Sequence, residues 1–328
     1  MNNQKIVLEP KTQAFVDALA AQGGKPIYEL SYAEARKVLE NAQASAKVTK
    51  LPAEVEDKVF AVGPTGQTAV TIYRPKGSKG SLPVVMYYHG GGWVLGSKNT
   101  HDRLLRDLVN RTNAAFVFVN YTPSPEAQFP IPIEQGFAAM KYVAEHGDEL
   151  GFDTTRLAVA GDSVGGNMTA VVAQLAKERK GPAIRYQVLF YPVTDASLSQ
   201  GSYKEFADGP WLTTAAMKWF WDAYAPNKDD RKKTMASPLA ATTDQLKGLP
   251  PALVIVDEND VLRDEGEEYA RKLIQAGVET TVVRFLATHH DFVMLNALAG
   301  TAAAKAAIDM ASQKLTQILG SMAQRPAA

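Results

Sequence analysis

Along most of the chain, short and almost wholly apolar runs alternate with stretches where apolar residues recur every three or four positions. The runs "AVTIYRP" (69–75), "LPVVMYYH" (82–89), "AAFVFVNY" (114–121), "RLAVAG" (156–161), "YQVLFYP" (186–192), "ALVIVD" (252–257) and "TTVVRFL" (280–286) predict strands. The periodic stretches predict helices around 100–112, 133–146, 265–276 and 300–319. Val164, Met168, Val171, Val172 and Leu175 lie at helical spacing directly after the strand at 156–161. Strands this apolar, alternating with amphipathic helices, imply an α/β fold with a mainly parallel sheet covered on both faces.

Two stretches break the alternation. The first ~50 residues read as two helices with no strand between them. Pro10 suits a helix start, and Phe15, Ala18 and Leu19 share a face. Ser31 and Glu34 form a capping box ahead of Ala35, Val38, Leu39 and Ala42. "KVTKLPAEVED" (47–57) reads as a linker between these helices and the first apolar run. Residues 196–235 hold three of the four tryptophans and no strand signal. There Thr213 or Thr214 can cap a helix carrying Met217, Phe220, Trp221 and Tyr224 on one side. The expected division is therefore 1–50, a core of 51–195 with 236–328, and an inserted segment 196–235.

Composition narrows the function classes. Lys+Arg and Asp+Glu both number 35, so no net positive charge recommends nucleic acid or an anionic membrane as partner. The absence of cysteine excludes disulfides, thiolate metal sites and a cysteine nucleophile. No apolar run approaches the ~20 residues of a membrane span. "MNNQKIVLEPKTQ" lacks the apolar stretch of a signal peptide, so a cytoplasmic protein is expected. The search for a general base is short, since the histidines are His89, His101, His146, His289 and His290.

Gly161-Asp162-Ser163-Val164-Gly165 fits G-x-S-x-G between a predicted strand and a predicted helix. A sharp turn there lifts the serine hydroxyl clear of its main chain, and small neighbours permit the turn. The helix after it offers unpaired N–H groups to a developing oxyanion. His89-Gly90-Gly91-Gly92-Trp93 succeeds another strand, and its glycines let backbone N–H groups face a site unobstructed. A serine nucleophile on such a sheet is succeeded in chain order by its acid and its histidine. Past Ser163 only His289 and His290 remain. Asp257, Asp260 and Asp264 compete for the acid, Asp264 with Glu267 also reading as a capping box.

In this order "HGGGW", "GDSVGG", "DVLRDEG" and "HDF" resemble the hormone-sensitive lipase-like esterases, the bacterial family IV carboxylesterases of the α/β-hydrolase superfamily. The resemblance covers nearly the whole chain. It implies an α/β-hydrolase fold with a mostly parallel sheet of about eight strands, and a cap built from 1–50 and 196–235. It implies Ser163 as nucleophile, Asp260 as acid and His290 as base. It assigns the oxyanion hole to backbone N–H groups of Gly90, Gly91, Gly92 and Val164. His89 then holds its own loop by a ring hydrogen bond, while His101 and His146 are expected at the surface. Trp93, Trp211, Trp219, Phe220 and Trp221 are candidate pocket residues. No metal or organic cofactor is implied. The expected partners are a small-molecule ester of short to medium acyl length and, at most, a second copy of the chain.

Four positions depart from the family pattern. Val164 stands for alanine, Val261 for proline, Thr122 for arginine and Asp291 for glycine. All bear on substrate preference. The same machinery serves amide, carbamate or lactone cleavage, including an arylformamidase-like activity. A non-catalytic small-molecule receptor is the rival from outside the enzymes.

Overall fold

The computed structural model describes residues 6–320. The outermost residues of the first and last expected segments, 1–5 and 321–328, lie outside the described residues. The apolar runs become β2 (Thr68–Pro75), β3 (Leu82–Tyr88), β4 (Ala115–Asn120), β5 (Phe152–Asp162), β6 (Gln187–Phe190), β7 (Ala252–Asn259) and β8 (Thr280–His289). An eighth strand, β1 (Ala53–Phe60), occupies part of what reads as a linker. It carries Glu54, Glu56, Asp57 and Lys58 on an exposed sheet edge, so no apolar run announces it. Its partner is β2, antiparallel, with Glu54 opposite Arg74. Charged residues on an edge strand also discourage pairing with other chains.

The strand order is β1-β2-β4-β3-β5-β6-β7-β8. Only β2 runs against the rest. The helices are α1 (Pro10–Gln22), α2 (Tyr32–Ser45), α3 (Lys98–Thr112), α4 (Ile131–Glu145), α5 (Gly147–Leu150) and α6 (Val164–Glu178). They continue with α7 (Gly201–Glu205), α8 (Thr214–Tyr224), α9 (Thr243–Leu246), α10 (Arg263–Gln275) and α11 (Ala302–Gly320). Both sheet faces are covered. Along β7, Leu253 and Ile255 join one core, while Val254 and Val256 join a second with Tyr269 and Leu273 of α10. That alternation is the pleat of a strand buried on both sides.

Local signals set the helix starts that matter for the site. Ser31 and Glu34 make the capping box of α2, and Thr213 accepts from the Ala216 N–H at the start of α8. Asp264 does not cap α10: it lies inside the helix, accepting from Ser202 N–H and Arg263. Within 196–235, Trp211 packs on Phe15 of α1 at 5.4 Å, and Trp219 stacks on Tyr32 of α2 at 5.1 Å. These contacts bring the aromatic insertion and the N-terminal helices together above the loops after β3, β5 and β8.

Candidate active site

Ser163 closes β5 and opens α6, and its backbone sits at φ 54°, ψ −119°. Positive φ is strained for a residue with a Cβ, and such strain persists only where the surroundings enforce it. The enforcement is visible at Gly165. A Cβ there would stand 1.9 Å from the Tyr88 carbonyl oxygen, so β3 and α6 approach closely enough only through glycine. The Ser163 N–H donates to Phe190 O and its carbonyl accepts from Val193 N–H, pinning the turn to β6.

Of the two adjacent histidines, His290 faces the serine. Its Nε2 lies 2.9 Å from Ser163 Oγ and its Nδ1 lies 2.7 Å from Asp260 Oδ2. Asp260 also accepts from Leu262 N–H, which fixes the carboxylate in the loop after β7. All three side chains are buried. Burial opposes a charged imidazole, but Asp260 and then Asp291 outweigh it and push His290 up to about 9. Asp291, at φ 69°, holds Oδ1 3.6 Å from the same Nε2 and accepts Trp211 Nε1–H at 2.9 Å. Burial lifts the Asp291 carboxyl above its ordinary value, against the pull of His290.

His289 turns the other way. It is buried in the stack formed with Phe15 and Trp211, and burial pulls its imidazole down to about 4. Asp257 and Asp264, the other candidates for the acid, do not reach the histidine as Asp260 does. Asp257, Asp260 and His290 each bring one potential metal-donor atom within 4.8 Å, yet the Nδ1–Oδ2 hydrogen bond already engages two of the three.

Residues 85–294 match the family described as alpha/beta hydrolase fold. The chain belongs to that family, in its hormone-sensitive lipase-like branch. Carboxylesterase NlhH of Mycobacterium tuberculosis is 40% identical over 275 residues, covering 82% of this chain and 86% of that protein. Ethyl acetate hydrolase of Pseudomonas putida is 33% identical, covering 89% and 93%. A solved thermostable esterase from Pseudomonas putida ECU1011 superposes with a TM-score of 0.94 at 53% identity, covering 95% and 98%.

In this alpha/beta hydrolase the glycine loop is organised by the aspartate before the serine. Asp162 Oδ1 accepts from Gly90 N–H at 3.1 Å and from Tyr87 OH at 2.8 Å, and its Oδ2 lies 3.2 Å from His101 Nε2. The Gly90 N–H is therefore occupied, and it does not belong to the oxyanion-binding set expected from sequence. Burial disfavours the Asp162 charge, but His101 and Tyr87 outweigh it and hold the carboxyl below its ordinary value. His101 is fully buried and not a surface residue. It sits inward on α3, which a polar helix start does not betray. His146, at the end of α4, is half-buried. His89 bonds Gly90 O through Nδ1 and stacks on Tyr121, while burial, then His101, hold it neutral at about 3.

A cavity of about 340 Å³ opens above Ser163 and His290. Its floor includes Gly91, Gly92 and Asp291, and its walls include Trp211, Met217 and Phe220 of the insertion. Leu19, Ile27, Tyr28 and Leu39 of the N-terminal segment complete it. Three of the aromatic candidates do not line this space. Trp93 stacks on Tyr224 at 3.9 Å and Trp221 packs against Trp93, both fully buried. Trp219 meets Tyr32 instead. Helical spacing alone does not tell which aromatic of α8 faces the cavity and which the core. Among the described residues no helix is long and apolar enough to cross a membrane.

Proposed function

We propose that this chain is a serine carboxylesterase that cleaves short- to medium-chain esters through an acyl-enzyme on Ser163. The observation that carries the reading is the line Ser163 Oγ–His290–Asp260, with contacts of 2.9 and 2.7 Å at the floor of an apolar cavity. His290 takes the hydroxyl proton as Oγ attacks the ester carbonyl. The carbonyl oxygen becomes an alkoxide, held by the N–H groups of Gly91, Gly92 and Val164. Val164 lies at the first position of α6, where helix N–H groups have no intrahelical partner. His290 then gives its proton to the departing alkoxide. Water, deprotonated by the same imidazole, releases the acid. Asp260 keeps the imidazole oriented and stabilises its charged form.

The cap is proposed to comprise the described part of residues 1–50 together with 196–235. A cavity at the small end of the ~300–1,000 Å³ range of ligand pockets, walled by Trp211 and Phe220, favours compact acyl groups. The esterase names of the relatives support the ester as substrate class.

A tagged fluorophosphonate tests the reading. The expected result is one adduct per chain on the peptide carrying Ser163, with loss of p-nitrophenyl ester hydrolysis in parallel. Full hydrolysis by a fully labelled protein, or labelling at another serine, overturns it.

A further inference from the structure

Asp257 is a buried acid that the Ser163–His290–Asp260 relay does not use. It sits near the end of β7, where a register shift separates it from Asn259 in the pairing with β8. Such a bulge re-aims side chains at the end of a strand. Asp257 is fully buried, and among the described residues no N–H or O–H group donates to either of its carboxyl oxygens. One of them lies within 4.8 Å of a donor atom of both Asp260 and His290.

A buried carboxylate with no partner carries a large desolvation cost, so such a group either finds a cation or keeps its proton. Among the described residues, the groups around Asp257 offer no free cation. They are Asp260 in its own loop, Asp291 and His290 after β8, and the Tyr191 hydroxyl after β6. Arg103, which faces Tyr191 from α3, directs its N–H groups to Asp107, Asn296 and the carbonyls of Val293 and Met294. His290 already holds Asp260. Two carboxylates only accept, so two ionised acids here would repel each other, and one proton resolves the clash. Asp260 is the worse place for that proton, since it bonds His290 Nδ1 and the Leu262 N–H. Burial, then Asp260 and Asp291, push the Asp257 carboxyl well above the ordinary range.

We propose that Asp257 is a positioning residue: kept as a neutral carboxylic acid, it donates a hydrogen bond to the Asp260 carboxylate and tempers Asp260's hold on the His290 imidazolium. The inference rests on the Ser163–His290–Asp260 reading, which also supplies its purpose. A base held too firmly in its protonated form cannot accept the serine proton, and besides Asp257 His290 has Asp260 and Asp291 as acidic neighbours.

The test is the pH dependence of kcat/KM for p-nitrophenyl acetate in the wild type, Asp257→Asn and Asp257→Ala. The acidic limb reports the imidazole that must be neutral to act as base. Asn still donates through its amide, so its limb should stay with the wild type's. Ala removes the donor, leaves more negative charge on Asp260 and strengthens its hold on the imidazolium. The limb should then move to higher pH by about one unit. Asp257→Leu gives the same reading if the alanine variant fails to fold. A limb moving to lower pH would mean that Asp257 is ionised and overturns the proposal. An unmoved limb in both Ala and Leu variants would make Asp257 only a filler of space, and overturns it equally. If the underlying triad reading were wrong, the wild type would show no fluorophosphonate adduct on Ser163, whatever the Asp257 variants do.

Discussion

At the scale of single residues, the two neighbouring histidines carry the sharpest consequence. His290 faces Ser163, whereas His289 is packed against both Phe15 and Trp211. His290→Ala is expected to nearly abolish turnover. His289→Ala should keep kcat within about tenfold, the equivalent of ~1.4 kcal/mol, while lowering the melting temperature because it empties a buried stack. Purified variants compared by kinetics and thermal melts decide this. Asp291 gives the second consequence. His290 is pushed up to about 9, so base function is present above that value and lost as pH falls through it. Asp291→Asn removes one of the carboxylates responsible, and the acidic limb of kcat/KM should shift to lower pH. A shift to higher pH, or none, would contradict that role. The serine, the two histidines and the acid candidates were legible because G-x-S-x-G and chain order restrict the choice so strongly. The Gly90 N–H bond to Asp162 and the burial of His101 were not, since both depend on how α3 packs beneath the glycine loop.

At the scale of elements, the close crossing of β3 and α6 explains the glycines around Ser163. Gly165→Ala would place a methyl 1.9 Å from the Tyr88 carbonyl, which cannot move without breaking the centre of the sheet. The expected outcome is insoluble protein or a melting temperature at least several degrees lower. That size corresponds to overpacking costs of about 1–3 kcal/mol or more. A soluble variant with an unchanged melt would show that β3 and α6 can separate at this crossing without cost. Apolar runs made seven of the eight strands among the described residues readable from the sequence. β1 escaped because an exposed edge strand has no buried face to write into its sequence. The same physics hides which side of α8 is which: Phe220 reaches the cavity and Trp221 the core, and both are apolar.

At the scale of the whole molecule, the alpha/beta hydrolase fold supplies the sheet, and two distant segments close the cavity above it. Residues from 19 to 39 and from 210 to 220 line the same space as Ser163 and His290. A graded series of p-nitrophenyl esters should therefore peak at short to medium acyl chains and fall by palmitoyl. A steady rise to palmitoyl would mean that the roof opens. That the N-terminal helices join the aromatic insertion was expected from resemblance, not from the hydrophobic pattern, which marks two amphipathic helices without saying what they cover. All these scales converge on the Ser163 hydroxyl. Its most direct test is kcat/KM of Ser163→Ala on p-nitrophenyl acetate, in protein shown to fold as the wild type does. The expected loss is on the order of 10^6, as when a serine nucleophile is deleted from such a triad. A variant keeping more than a tenth of wild-type activity, free of contaminating esterase, would contradict the acyl-enzyme account.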